Sequence, residues 1–328
     1  MKNLKKQIVL FVLPPLLCAA CSTEAALQRI IGSSVESPVF YGCKAAAEGE
    51  VSFSFSVPVT VKSAYFDPPV EPVSRSDGQT VTFRFNSDLP GGGKLTADIL
   101  VEDSRGNTLN VLVPFRTRNT QVPDVLISEI RTKNANMSKD NPQTEFVKLL
   151  IKSAGNLGAL RLYAAGNNSG KGLAAPLIEF PPVMVQTGET VVVHTRTLPT
   201  QTGCVDETGS NLRESGGHEA TLDRDFWLPG SAARLHNTDV IFIMDQDDKV
   251  LDGIVMCEKA EAWKNDVVRA AAMLEEQGAW NGSGADSALL TATLTTPNRT
   301  AKRINAPDTN SAADWHISNY TALKTKKS

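Results

Sequence analysis

The chain has 328 residues, with 33 Lys and Arg against 36 Asp and Glu for a formal charge of −3. That length suffices for about two ordinary domains, and a hydrophobic share of 41% with 21% charged residues excludes a disordered or collagen-like chain. Near-neutral charge and an aromatic share of 6% supply neither a basic field nor a stacking surface, so no nucleic-acid partner is expected.

Residues 1–20 run from a basic start (Lys2, Lys5, Lys6) through an apolar stretch from Ile8 to Leu17 to the small Ala19 and Ala20. About ten apolar residues interrupted by Pro14 and Pro15 are too few for a membrane-spanning helix, so the segment reads as a secretory signal. Leu17-Cys18-Ala19-Ala20-Cys21 resembles a bacterial lipobox of the spirochaete type. The resemblance implies cleavage before Cys21 and acylation of that cysteine; at roughly 0.8 kcal/mol per buried CH₂, such an anchor is effectively permanent. An ordinary cleaved signal with free cysteines is the alternative. Loss of Lys2, Lys5 and Lys6 leaves 30 basic against 36 acidic side chains, a formal −6, so the body should stand off anionic headgroups. The expected location is the bacterial cell envelope at the outer membrane, with the periplasmic or surface side left open. The membrane is then a partner through the covalent lipid on Cys21.

Residues 21–34 read as a tether, and residues 35–118 as a β-sandwich. In 51–57 (Val-Ser-Phe-Ser-Phe-Ser-Val) the apolar residues take every second place, the period of a half-buried strand. Similar runs occupy 80–85, 95–101 and 109–113, with turns at Asp77-Gly78, 91–93 and 104–107. About seven short strands without helical periodicity predict an Ig-like sandwich. Cys43 is the sole cysteine of this segment, so its core is apolar only. The segment resembles the Ig-like modules of bacterial surface lipoproteins through Val-Glu-Asp-Ser-Arg-Gly-Asn-Thr-Leu at 101–109 and Val-Pro-Phe-Arg-Thr-Arg-Asn at 113–119.

Residues 119–123 read as a hinge, and 124–320 as a second β-sandwich with one or more short helices, followed by a basic tail at 321–328. Strands are predicted at 124–130, 145–151, 159–164, 174–180, 190–195, 239–244 and 250–255, the last two forming a hairpin around Asp245-Gln246-Asp247-Asp248. Asp266 is the expected cap of a helix whose Val267, Val268, Ala271, Leu274 and Trp263 share one face and which ends at Gly278. Leu126-Ile127-Ser128-Glu129-Ile130, Thr144-Glu145-Phe146-Val147-Lys148-Leu149, the strand 188–194, the hairpin 239–255, 296–299 and 308–315 together resemble a lamin-tail domain of secreted bacterial proteins. Relative to that pattern a long insertion separates His194 from Asp239. The chain is thus expected to be mainly β, two sandwiches in tandem.

Glu129 and Glu145, on neighbouring strands, have the residue types of a paired-carboxylate glycosidase site. Both positions recur in non-enzymatic lamin-tail proteins, and the favoured reading is structural, with no catalytic residue assigned. His194, His218, His236 and His316 stand in no H-E-x-x-H pattern, no C-x-x-C occurs, and Ser283 follows no strand as a nucleophile would, so no zinc site or nucleophile elbow is expected. Asp245, Asp247 and Asp248 are the weak Ca²⁺ candidates, against a plain hairpin turn as the favoured reading; no other cofactor is expected. Cys204 and Cys257 form the candidate disulfide, worth about 3–4 kcal/mol, with buried free thiols as the alternative. The expected function is non-enzymatic binding or scaffolding of a protein or polysaccharide partner through the loops 131–143 and 196–236. A hydrolase of the nuclease or phosphoesterase type with its site on the second sandwich is one alternative, and a purely structural envelope protein another.

Overall fold

The computed structural model describes residues 37–319 except 87–88, 133–144, 168–174, 200–201, 218, 260–262, 296–297 and 305–306. The signal, Cys21, the whole tether and the basic tail lie outside these residues, as does most of the loop 131–143. The chain is mainly β and is organised around two separate apolar cores.

The first core belongs to strands β1 (Phe40–Ala47), β2 (Glu50–Asp67), β3 (Ser74–Ser76), β4 (Gly78–Arg84), β5 (Lys94–Asp103) and β6 (Thr108–Arg116). The alternation that begins at Val51 continues to Asp67, because β2 is shared between two layers. Its first part pairs with β1 and β4, its second part with β5, and the register slips between Ser54 and Val59. There the strand bends and returns, so that Phe66 near its end meets Phe83 and Phe85 edge-on at 5.3 and 4.9 Å, beside the strand's own beginning. Phe53 and Phe115 make the same kind of contact at 6.0 Å. The sandwich is therefore one sheet folded over itself, closed by phenylalanines that each contribute roughly 1.5–3 kcal/mol on burial.

The second core lies between two sheets. One consists of β7 (Val125–Arg131), β8 (Phe146–Ile151), β13 (Thr190–His194), β14 (Arg224–Trp227), β18 (Arg299–Arg303) and β19 (Trp315–Asn319), in the order β14-β13-β8-β7-β18-β19. The other runs β11-β10-β15-β16-β17, from β10 (Arg161–Ala164), β11 (Ile178–Glu179), β15 (Asp239–Met244), β16 (Val250–Cys257) and β17 (Leu289–Leu290). A small pair of β9 (Gly155–Asn156) with β12 (Met184–Val185) closes one end.

Helix α1 (Asn265–Glu276) packs on β16, where Gly253 leaves room for Leu274; any side chain at 253 would overlap that leucine. The helix buries Val267, Ala270, Ala271 and Leu274, and Val268 is exposed, one residue and about 100° away from Val267. Asp266 is not the cap: Lys264 holds that position in an extended conformation, and buried Asp266 pairs with Arg269 inside the first turn. Gly278, at φ +71°, ends the helix as expected, and Ala279 N donates to Leu274 O at 2.8 Å.

The segment expected as a hinge is held by hydrogen bonds instead. Asn119 is buried; its amide Nδ2 donates to Asn156 O and Gly158 O at 2.8 Å each, and its backbone N donates to Gln246 Oε1 at 2.9 Å. Asn156 Nδ2 returns a bond to Gly91 O at 3.0 Å. Arg118 grips Asp247 with both Nη atoms at 2.6 and 2.5 Å, and Arg116 pairs with Glu179. Gly92, at φ +77°, lies so close to Gly158 that a Cβ would collide with its backbone. Residue pairs this close and this bonded fix the orientation of one domain on the other.

Candidate functional site

β7 ends at Arg131, β8 begins at Phe146, β13 ends at His194 and β14 at Trp227. The pairs Arg131↔Phe146, Phe146↔His194 and His194↔Trp227 align these four positions at one pole, away from the first domain. β15 begins and β16 ends at the same pole, since Thr132 bonds Asn237 and Arg234 N donates to Glu145 Oε1 at 2.6 Å.

Two buried carboxyl groups sit there. Glu145 keeps one bonded oxygen, while Oε2 is buried without a hydrogen-bond partner, and burial pushes the carboxyl above its ordinary range. Asp239 accepts amide hydrogens from Gly166, Val240 and His236 at 2.7, 2.8 and 3.1 Å. Burial, with the Glu145 charge adding to it, outweighs those three amides and pushes Asp239 up to about 7. Gly166 leaves room for the Asp239 carboxyl group, whose carbon a Cβ would approach to 3.0 Å. Near neutral pH this pole thus retains a carboxylic acid able to give or take a proton.

Glu129 and Glu145, the residue types of a paired-carboxylate site, are each engaged elsewhere. Glu129 stands opposite Lys148 and pairs with Lys302 at 3.4 Å, whereas Glu145 feels the charge of Arg196 and itself acts on Asp239. Asp239 went unnoticed in the sequence; its one signal is a lone acid opening an otherwise apolar strand.

The insertion 196–236 is largely structural rather than a free loop. It supplies β14, which runs parallel to β13 and is buried along its whole length. Carboxylates of the same insertion take up the outer edge of β14: Asp225 N donates to Glu207 Oε2 at 3.0 Å and Trp227 N to Asp206 Oδ1 at 2.8 Å. Occupied in this way, the edge offers no ladder to another chain. His194 Nε2 meets Asp225 Oδ1 at 2.9 Å, and its ring stacks on Trp227 with centroids 3.7 Å apart. His218 lies outside the described residues.

The candidate Cys204–Cys257 disulfide is not formed, and the alternative holds: both are free thiols, as is Cys43. Cys204 sits in the insertion beside Gly217 and Trp227, outside the β13–β14 edge, whereas Cys257 ends β16 in the opposite sheet and accepts a bond from Trp263 Nε1 at 3.1 Å. Burial pushes the Cys204 thiol up to about 11, far from a reactive thiolate. In the hairpin, Asp247 and Asp248 are taken by Arg118 and Arg161, and Asp245 Oδ1 accepts Asp247 N and Lys249 N at 2.9 and 3.0 Å. These carboxylates build a turn and a domain contact. No group of three or more metal-ligating side chains occurs among the described residues.

The conspicuous tail 308–315 also has a structural place. Arg303 donates to both oxygens of buried Asp252 at 2.7 Å, to Asp308 at 2.7 Å and to Ile127 O at 3.0 Å, and lies 4.8 Å from the centre of the Trp315 ring.

The family model "TP_1001_2nd: protein second domain" matches residues 123–317. An uncharacterized protein of Treponema pallidum (strain Nichols) is 30% identical over 179 residues, a stretch covering 52% of this chain and 43% of that relative, so the match spans less than half of the relative's length. No solved structure matches.

Proposed function

Since residues 123–317 make the chain a member of the TP_1001_2nd family, we propose that it is a non-enzymatic, lipid-anchored envelope protein whose first domain is a rigid spacer and whose second domain engages a protein or polysaccharide at its far pole. The observation that carries this reading is the opposition of the two ends. β1 begins at Phe40, opposite Phe55 near the bend of β2, at the end of the first domain remote from the second. The junction at Asn119 is bonded rather than hinged, and the ends of β7, β8, β13 and β15 lie beyond it. A lipid on Cys21 would then hold the molecule by one end and leave the recognition pole farthest from the bilayer.

The test is capture of partners by crosslinking on intact cells, alongside detergent phase partition of the full chain and its Cys21→Ser variant. The wild type should enter the detergent phase, C21S should not, and the captured partner should be lost when the sequence 133–143 is replaced by a Gly-Ser linker of equal length. A wild type that stays in the aqueous phase refutes the anchor. Capture restricted to neighbours in the same membrane supports the structural reading instead.

The hydrolase reading keeps one specific support, the acid held at about 7 beside Glu145. Turnover of a nuclease or phosphoesterase substrate that disappears in Glu145→Gln would replace binding as the function.

A further inference from the structure

A pocket of about 430 Å³ opens at the end of the first sandwich that meets the second domain. Its walls are residues 68–71, where the chain leaves β2, Asn86 just after β4, and residues 89–90 and 93–95 at the start of β5. The volume falls within the roughly 300–1,000 Å³ of small-molecule sites. Pro68, Pro69, Val70, Leu89, Pro90 and Leu95 make the lining mainly apolar. Leu95 belongs to the apolar core of the domain and is held there before any ligand arrives. The three prolines have a fixed φ and no side-chain freedom to lose, so the apolar wall costs little entropy on binding.

The polar side chains of the lining are Lys94, Glu71 and Asn86. None of the three makes an ion pair or hydrogen bond with another side chain among the described residues. The backbone of the wall has little to add. The prolines carry no N–H, and the Pro90 carbonyl already accepts Gly93 N at 3.0 Å and Thr117 Oγ1 at 2.6 Å. One ammonium and one carboxylate thus face an apolar cavity with neither neutralised by the protein. A ligand with a single charge would satisfy one of them and meet the other as a like charge; a ligand with both charges satisfies both.

We propose that this pocket binds a short apolar peptide, of about dipeptide size, as a zwitterion. Lys94 receives the terminal carboxylate, Glu71 the terminal ammonium and Asn86 the peptide group, while the ligand's side chains lie against Leu89, Leu95 and the prolines. Burial of those side chains supplies most of the affinity, and the two exposed charges set the direction of the peptide. The segment that carries Leu89 and Pro90 also seats the second domain, because Gly91 O accepts Asn156 Nδ2 at 3.0 Å. The ligand therefore rests against the junction from the side of the first domain, and the far pole takes no part.

Isothermal titration of the full chain with the dipeptide Leu-Leu tests this, with N-acetyl-Leu-Leu, Leu-Leu amide and Gly-Gly alongside. Leu-Leu should bind saturably and Gly-Gly should not. Blocking either terminus should weaken binding roughly fivefold, the upper size of an exposed ion pair. Lys94→Gln should weaken Leu-Leu to the same extent and leave Leu-Leu amide unchanged. Glu71→Gln should weaken Leu-Leu and leave N-acetyl-Leu-Leu unchanged. Neither substitution breaks an ion pair, and the circular dichroism spectrum of each variant checks its fold. Absence of saturable Leu-Leu binding overturns the proposal, as does an affinity that neither blocked termini nor K94Q and E71Q change.

Discussion

Arg303→Met removes a charge from the centre of the second domain while keeping most of the side chain's length. Asp252 is 2% exposed and accepts from Ile127 N at 2.5 Å as well as from Arg303, so in the variant its carboxylate would be buried with a single amide as donor. Removing one partner of such a pair costs about 3–5 kcal/mol when the other stays ionised. Burial already pushes Asp252 up to about 6, against the lowering influence of Arg303. Its folded value therefore lies above its unfolded value of 3.8, so its contribution to stability is complete below pH 3.8 and declines as pH rises towards 6. Without Arg303 the folded value climbs further and the decline extends to higher pH. The destabilisation should be small near pH 4 and approach its full size near pH 8. All four tryptophans (227, 263, 280 and 315) lie in the second domain, so urea unfolding followed by Trp fluorescence reports this domain alone. Asp252→Asn combined with R303M should recover about 1–3 kcal/mol of the loss at pH 8. Equal losses at pH 4 and pH 8, with no recovery in the double variant, would refute the buried-pair account.

Asp239→Asn should flatten the fall in stability between pH 4 and 7, because a folded value of about 7 against 3.8 unfolded makes the wild type lose stability as pH rises through that range; urea midpoints across the range give the slope. Gly253→Val should displace α1 through Leu274 and cost about 1–3 kcal/mol by overpacking, read from the same Trp transition. Gly92→Ala, blocked both by φ +77° and by Gly158, should open the junction and admit proteolysis at 119–123 while the Trp transition stays put. Maleimide labelling after unfolding without reductant should modify Cys43, Cys204 and Cys257 alike, and dithiothreitol should leave the melting temperature unchanged; a fully protected pair would restore the disulfide.

The period-two pattern makes 51–57 legible as a strand, but Pro58 and the slipped register hide its continuation to Asp67. β14 is illegible for a different reason. Arg-Asp-Phe-Trp has no alternation because all four residues are buried, the two charged ones by partners on both sides, Glu189 and His194 of the neighbouring strand region and Glu207, Gly209 and Thr221 of the insertion. The helix is placed correctly at its C-terminal glycine and two residues late at its start, since a buried aspartate in the first turn looks like a cap when its burial is unknown. Of the polar pole, Glu145 can be found from a strand motif, whereas Asp239 owes its partner to a pairing between distant parts of the chain. The short polar segment 119–123 has the composition of a hinge; what stiffens it is Asn119 reaching carbonyls 37 and 39 residues away, which no local pattern contains.

The shared strand of the first domain has a mechanical consequence. Were the chain held at its N-terminal end and loaded through the second domain, tension would enter at Phe40 and leave where β6 ends, and both β1 and β6 lie along that line. Tension is then applied lengthwise to their ladders, so many hydrogen bonds must fail together rather than one after another. With β2 stitched through both layers, the layers cannot slide apart without breaking the strand they have in common. A domain built in this way would yield late under such a load, and its unfolding force, rather than its equilibrium stability, is the quantity that the shared strand raises.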